Sequence, residues 1–161
     1  MFNDEMVLPQ AEIIAIGNEV ISGLIQDTNG RYLSKQLHLL GINTSRITVV
    51  GDDEGSITRV VEGALERVGI VIVTGGLGST HDDITKDVLA RVFNSNMIID
   101  DKVMNMLEAK FNARQQKVPE RVRSQCKIPK LLRFYTTKKG QPRVFFLNVM
   151  GKNYFLFQVF L

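Results

Sequence analysis

The chain has no tryptophan, one cysteine (Cys126), two histidines and four prolines in 161 residues. A lone thiol excludes an internal disulfide and suits a reducing compartment. With no second cysteine or neighbouring histidine at metal-ligand spacing, Cys126 reads as structural. No apolar run reaches the roughly 18 residues of a membrane span. The first ten residues carry Asp4 and Glu5 and lack the basic and apolar segments of a secretory signal. The expected location is therefore the cytoplasm, with no membrane partner.

What is present is the balance of an ordinary globular domain, with 44% apolar and 23% charged residues. The length fits one domain over residues 1–161 with a well-buried core. The formal charge of +3 hides an asymmetry: residues 1–99 hold seven Lys/Arg against 13 Asp/Glu, and residues 100–161 hold 13 against four. A basic second half raises the question of nucleic acid. However, aromatics do not interleave with Lys102, Lys110, Arg114, Lys117, Arg121 and Arg123 as base stacking requires. No nucleic-acid partner is expected. The basic 102–143 segment reads as a solvated helix face, with attraction of an anionic substrate as the other option.

Apolar periodicity sets out the elements. Glu12 to Ile16 (EIIAI) is a buried strand opening into a Gly17-Asn18-Glu19 loop. Asp27 or Thr28 offers a helix N-cap, Leu33, Leu37 and Leu40 form the stripe, and Gly41 ends the helix. His38 on that helix reads as surface packing. Ile47 to Val50 is a second strand closed by Gly51-Asp52-Asp53. Ile57, Val60, Val61, Ala64 and Leu65 mark a helix. Ile70 to Val73 is a third strand. Ile84, Val88, Leu89 and Val92 mark the next helix, and Met97 to Ile99 a short strand. The βαβαβαβ order with continuously apolar strands predicts an α/β fold, a mostly parallel sheet covered by helices on both faces. Beyond Asp100, a helix through Val103, Met106, Leu107 and Phe111 precedes a β-hairpin, VFFLNV–MGKN–YFLFQVF.

In such a sheet all strands deliver their carboxyl ends to one edge, where ligands bind. That edge receives Asn18 and Glu19, then Asp52 and Asp53, then Thr74 through Asp83. The stretch TGGLGSTHDD is the most informative. Gly75, Gly76 and Gly78 let backbone approach a ligand, and Ser79 and Thr80 add hydroxyls before a helix N-terminus that favours an anion. It matches neither the Walker A spacing nor GxGxxG. A tight strand-to-helix turn is the plainer explanation of the glycines. Asp82 and Asp83 beside an anion site point to a metal or a base. Capping of the next helix explains them equally well from spacing alone. His81 is weak evidence for a role, and Lys86 and Arg91 suit a solvated face.

GNEVISGLIQDTN, the VVGDD turn and above all TGGLGSTHDDITKD resemble the molybdopterin-binding domains of the CinA (competence/damage-inducible) branch. More distantly they resemble MoaB and MogA of molybdenum-cofactor synthesis. The resemblance runs from about Ala11 to Pro129. It implies a three-layer α/β/α sandwich. It implies that the glycine loop (Thr74, Gly75, Gly76, Gly78, Ser79, Thr80) holds a nucleotide or pterin phosphate, and that the two essential aspartates match Asp52 and Asp83. In the CinA branch the domain is associated with metal-dependent hydrolysis of ADP-ribose and related pyrophosphates. A divalent cation (Mg, Mn or Co) on Asp83, with Asp82 or Glu19, is thus expected, with molybdopterin as the other ligand class. Dimers or trimers are implied as well. Family members commonly carry proline where Ser79 stands, and their hairpin continues into further structure. The expectation is a domain truncated at its C-terminus, its run Tyr154 to Leu161 left as an exposed edge unless another strand or subunit covers it. The CinA amidase domain has no counterpart here, so its activity is not carried over.

Overall fold

The computed structural model describes residues 9–76, 84–123, 126–130, 133–136, 143–149 and 152–157. In chain order the elements are β1 (Gln10–Ile16), α1 (Asn18–Ile21), α2 (Thr28–Leu39), β2 (Asn43–Val50), α3 (Glu54–Arg67), β3 (Ile70–Gly75) and α4 (Thr85–Val92). They continue with β4 (Met97–Ile99), α5 (Asp101–Asn112), α6 (Glu120–Arg123), β5 (Lys127–Pro129), β6 (Arg133–Thr136), β7 (Arg143–Val149) and β8 (Lys152–Phe157).

Six strands form one sheet in the order β2-β1-β3-β8-β7-β6. The first four run parallel, β7 is antiparallel to β8, and β6, antiparallel to β7, runs again in the direction of the first four. β1 lies between two parallel neighbours and Ala11 through Ile16 are all buried, which is why its run is continuous rather than alternating. Two helical layers cover the faces. On one, Leu33 and Leu37 of α2 pack on Ala11, Ile13 and Ile72. On the other, Ile57, Val61 and Ala64 of α3 and Val88 and Leu89 of α4 pack on Ile14, Ile16, Val71 and Val73. Each fully buried Leu, Ile or Val in these layers contributes about 1.5–3 kcal/mol. The three-layer α/β sandwich expected from the sequence is present.

Four details differ from the sequence reading. Gly17-Asn18-Glu19 enters a single helical turn, because Val20 and Ile21 N–H both donate to the Gly17 carbonyl (3.2 and 3.1 Å). The apolar stripe of α2 is Gly30, Leu33 and Leu37; Leu40 lies past the helix end and is 74% exposed. β4 leaves the main sheet and pairs antiparallel with β5, Met97 opposite Pro129. Finally, strands do cover the described part of the Tyr154–Leu161 run, because β8 pairs with β3 on one side and β7 on the other; residues 158–161 lie outside the described residues. The hairpin itself is as expected, with Val149 opposite Lys152, so Lys152 and Asn153 belong to the strand rather than the turn.

One charged residue sits in the core strand. Glu12 is 3% exposed and accepts two hydrogen bonds from Arg67, Nε to Oε1 at 2.7 Å and Nη2 to Oε2 at 2.8 Å. A carboxylate there is tolerable only because the guanidinium fork satisfies both oxygens. The hydrogen bonds from Arg67 hold the Glu12 carboxyl below its ordinary pKa. Cys126 is fully buried with Sγ 3.9 Å from Met104 Sδ, in keeping with a structural thiol.

Candidate functional site

Parallel strands β1, β2 and β3 end at the same edge, and hydrogen bonds tie their exits together. Gly17 N–H donates to the Val50 carbonyl at 3.0 Å. One residue on, Asn18 N–H donates to Asp52 Oδ2 (2.9 Å) while Asp52 N–H donates to Asn18 Oδ1 (3.2 Å). This reciprocal clamp fixes Asp52 beside the exit of β1. The neighbouring Asp53 does different work: its Oδ2 accepts from Ser56 N–H at 2.8 Å and caps α3. Hydrogen bonds from Ser56 hold its carboxyl below the ordinary range. The adjacent aspartates are thus divided, one to a cap and one to the loop junction.

The exit of β3 is equally constrained. Thr74 is 2% exposed, and its hydroxyl accepts from Asn29 Nδ2 at 3.3 Å. Asn29 is placed by the start of α2, where Asp27 Oδ1 accepts from Gly30 N–H at 2.8 Å. Gly75 and Gly76 have φ of +90° and +57°. A Cβ on Gly75 would strike the Ile16 carbonyl, and one on Gly76 would strike Thr85 Oγ1. Both positions combine positive φ with a close neighbour, backbone at Gly75 and the Thr85 hydroxyl at Gly76, and so favour glycine. Thr85, fully buried, donates its hydroxyl to the Gly75 carbonyl at 3.4 Å and ties the turn to α4.

A cleft of about 140 Å³ opens between these exits. Ala15, Ile16, Val20 and Ile25 give it apolar walls, and Glu19, Asp27, Asn29 and Thr74 line it with polar groups. Of the helices that begin at this edge, α2 and α3 are capped by Asp27 and Asp53. α4 has Ile84 at its N-cap position, with no side-chain acceptor. Its leading N–H groups, at the positive end of the helix dipole, suit an anion.

The structure thus brings Glu19, Asp52, Thr74, Gly75 and Gly76 to one edge, as their spacing predicts. Gly78, Ser79, Thr80, His81, Asp82 and Asp83 lie outside the described residues. Arg91 pairs with Glu54 and is used in packing α4 against α3. Sequence reasoning missed Asn29. The usable signal was an asparagine two residues beyond a helix-capping aspartate, on the first turn facing the sheet edge. Among the described residues, no three His, Cys, Asp or Glu side chains stand close enough to hold a metal ion. Glu19 and Asp52 are oxygen donors of the kind a hard cation takes. The described part of the edge is nevertheless not a metal centre by itself.

Residues 12–148 match the family described as "Probable molybdopterin binding domain", and the chain belongs to that family. Within it, the chain is 42% identical over 131 residues to a "Putative competence-damage inducible protein" of Desulforudis audaxviator, covering 81% of this chain and 32% of that protein. The Geobacillus kaustophilus protein of the same description is 40% identical over 118 residues, covering 73% and 28%. The chain therefore spans about a third of the length of the curated relatives it matches. Among solved structures, the protein CinA of unknown function from Thermoplasma acidophilum superposes with a TM-score of 0.84 at 28% identity, covering 94% of this chain and 88% of that one. The tungsten-cofactor synthesising protein MoaB of Pyrococcus furiosus shares the fold at a TM-score of 0.56 and 18% identity, covering 95% and 82%.

Proposed function

We propose that this domain is a metal-dependent pyrophosphatase acting on ADP-ribose or related dinucleotides. The observation that carries the reading is the unneutralised acid at the carboxyl edge. Glu19 lines the cleft and Asp52 is clamped at the adjoining exit, and neither carboxylate has an ion pair among the described residues. Beside them are Gly75 and Gly76 and the start of α4, which has no side-chain cap among the described residues and suits a diphosphate. Acid next to an anion site costs energy unless a cation or a reacting hydroxyl comes between.

In this reading the N–H groups of Gly75, Gly76, Gly78 and Ser79, with the Thr74 and Thr80 hydroxyls, hold the diphosphate. Asp52 orients the attacking water, whose oxygen bonds to one phosphorus as the bridging P–O bond breaks. A divalent cation (Mg, Mn or Co) would depend on Asp83, with Asp82 or Glu19; when bound it offsets phosphate charge and lowers the pKa of water. The family description favours a second reading, a binding module for molybdopterin or nucleotide phosphates without turnover. Self-association as a dimer or trimer belongs to either reading. The exposed Ile21 (58%) and Leu24 (82%) beside the cleft are candidates for its contact.

The test is phosphate release from ADP-ribose, coupled to a phosphatase, with and without Mg²⁺, Mn²⁺ or Co²⁺, beside an Asp83→Asn control. Metal-dependent turnover lost in the variant supports the hydrolase. A folded protein that binds ADP-ribose but turns over none with any metal leaves the binding module.

A further inference from the structure

The lining of the cleft between the ends of β1 and β3 is the opposite of what a phosphate needs. Among the described residues that line it there is no Lys, Arg or His, whereas Glu19 and Asp27 bring two carboxylates. An anion placed there would be repelled. The diphosphate therefore belongs at the end of the cleft, where Gly75 stands, and the body of the cleft has a different occupant.

Asn29 gives that body its chemistry. Its Nδ2 donates to Thr74 Oγ1 at 3.3 Å, and Thr74 is buried in β3. The bond commits the nitrogen end of the carboxamide and leaves Oδ1 as an acceptor, with no partner among the described residues. Asn29 is half-buried and lines the cleft, as does Glu19, whose carboxylate has no ion pair among the described residues. Acceptors of this kind call for a ligand that carries hydroxyl donors. The other walls, Ala15, Ile16, Val20 and Ile25, are aliphatic and offer no ring on which a base could stack.

Size narrows the occupant further. The cleft encloses about 140 Å³, whereas pockets that enclose a whole drug-sized ligand run to roughly 300–1,000 Å³. It takes one ring. A sugar meets each condition, with hydroxyls for the carboxamide and carboxylate oxygens and a C–H face for the aliphatic walls. The ribose of adenosine carries a base on its first carbon and needs more room, but a terminal sugar does not.

We propose that the cleft is the subsite for the terminal sugar of a nucleoside diphosphate sugar, with Asn29 as its specificity-determining residue. This rests on the pyrophosphatase reading for the position of the diphosphate. Asn29 Oδ1 accepts from one sugar hydroxyl, and Thr74 holds the carboxamide in the orientation that permits it.

The probe is α,β-methylene ADP-ribose, whose P–C–P bridge resists hydrolysis, titrated by calorimetry into the full chain with magnesium chloride. Its control is the ethyl ester of α,β-methylene ADP, which keeps the diphosphate charge and lacks the second sugar. The sugar compound should bind about tenfold tighter, the scale of one or two hydrogen bonds. It should also shift the amide resonances of Glu19 and Asn29, which the ester should leave in place. Asn29→Ala should erase the tenfold advantage (about one or two hydrogen bonds lost) and leave the affinity for the ester unchanged. A merely structural asparagine would weaken both compounds alike. Weaker binding of the methylene analogue of ADP-glucose identifies a furanose as the occupant, and equal binding identifies nucleotide sugars in general. Equal affinity for the sugar compound and the ester, or an advantage that survives Asn29→Ala, would overturn the sugar subsite and leave the hydrolase to the phosphate-release assay. An intact advantage in a protein that releases no phosphate from ADP-ribose overturns the hydrolase alone. Failure of both compounds to bind overturns the subsite and the diphosphate site together.

Discussion

The two ends of the parallel strands handle charge in opposite ways. At the amino end, the buried Glu12 is matched by the two-pronged Arg67. At the carboxyl end, Glu19 and Asp52 have no cation among the described residues, and Asp52 is held only by backbone N–H and the Asn18 carboxamide. The acid is thus paired within the fold at one end and left without a cation among the described residues at the other, the end to which the proposed reaction belongs. The difference lies in the partner: a guanidinium completes an ion pair, whereas a backbone clamp fixes position and leaves the charge available.

Substitutions can break that contrast. The largest effect is expected at Gly75→Ala, where a Cβ meets the Ile16 carbonyl at a φ of +90°. Urea unfolding should show a loss of about 3 kcal/mol or more, with the ligand site lost alongside. Next, Asp52→Asn keeps an acceptor for Asn18 N–H, so stability should stay within about 0.5 kcal/mol. Turnover of ADP-ribose should nevertheless fall about 100-fold, the scale of a misplaced attacking water. If stability fell and turnover held, the two ends would not be specialised as described.

Arg67→Ala tests the structural end. It strands the Glu12 carboxylate in the core and should cost about 2–3 kcal/mol, below the usual range for buried pairs because Arg67 is 43% exposed. Ligand affinity at the other edge should be unchanged in a titration at a temperature where the variant is folded. The smallest effect is on acid stability. Arg67 lowers the Glu12 pKa, so the stabilisation is fully present above the unfolded glutamate value of about 4.3. It is lost as pH falls through the lower folded value. Wild type should therefore show a steeper loss of stability below about pH 4.3 than Glu12→Gln, measured by urea midpoints.

Much of the first half was legible in the sequence, because each element there carries its own signal. β1, β2 and β3 are short β-branched runs, α2, α3 and α4 have apolar stripes, and Asp27 is a sequence-local cap; the capping role of Asp53 came from the structure. Strand order beyond β3 was not legible. The position of β8 between β3 and β7 is a pairing made over some 80 residues, and nothing in YFLF states its neighbours. β4 misled for a related reason: three apolar residues read alike whether they join the main sheet or pair with β5. At the site, the convergence of Glu19, Asp52 and Thr74 followed from the parallel topology alone. Asn29 did not, because its role depends on reaching the Thr74 hydroxyl from another element. Glu12 was hidden within an apolar run, its partner 55 residues away.

β2 carries a bulge at Ser45, where Thr44 pairs with Ala11 and Arg46 with Glu12, and it bears on how this protein behaves among its own copies. β2 is an outer strand of the sheet, eight residues long and rich in β-branched side chains, a template on which another strand could grow. An extra residue near its start interrupts the even spacing of backbone donors and acceptors that such growth requires. The irregularity thereby guards the open side of the sheet against fibrous association.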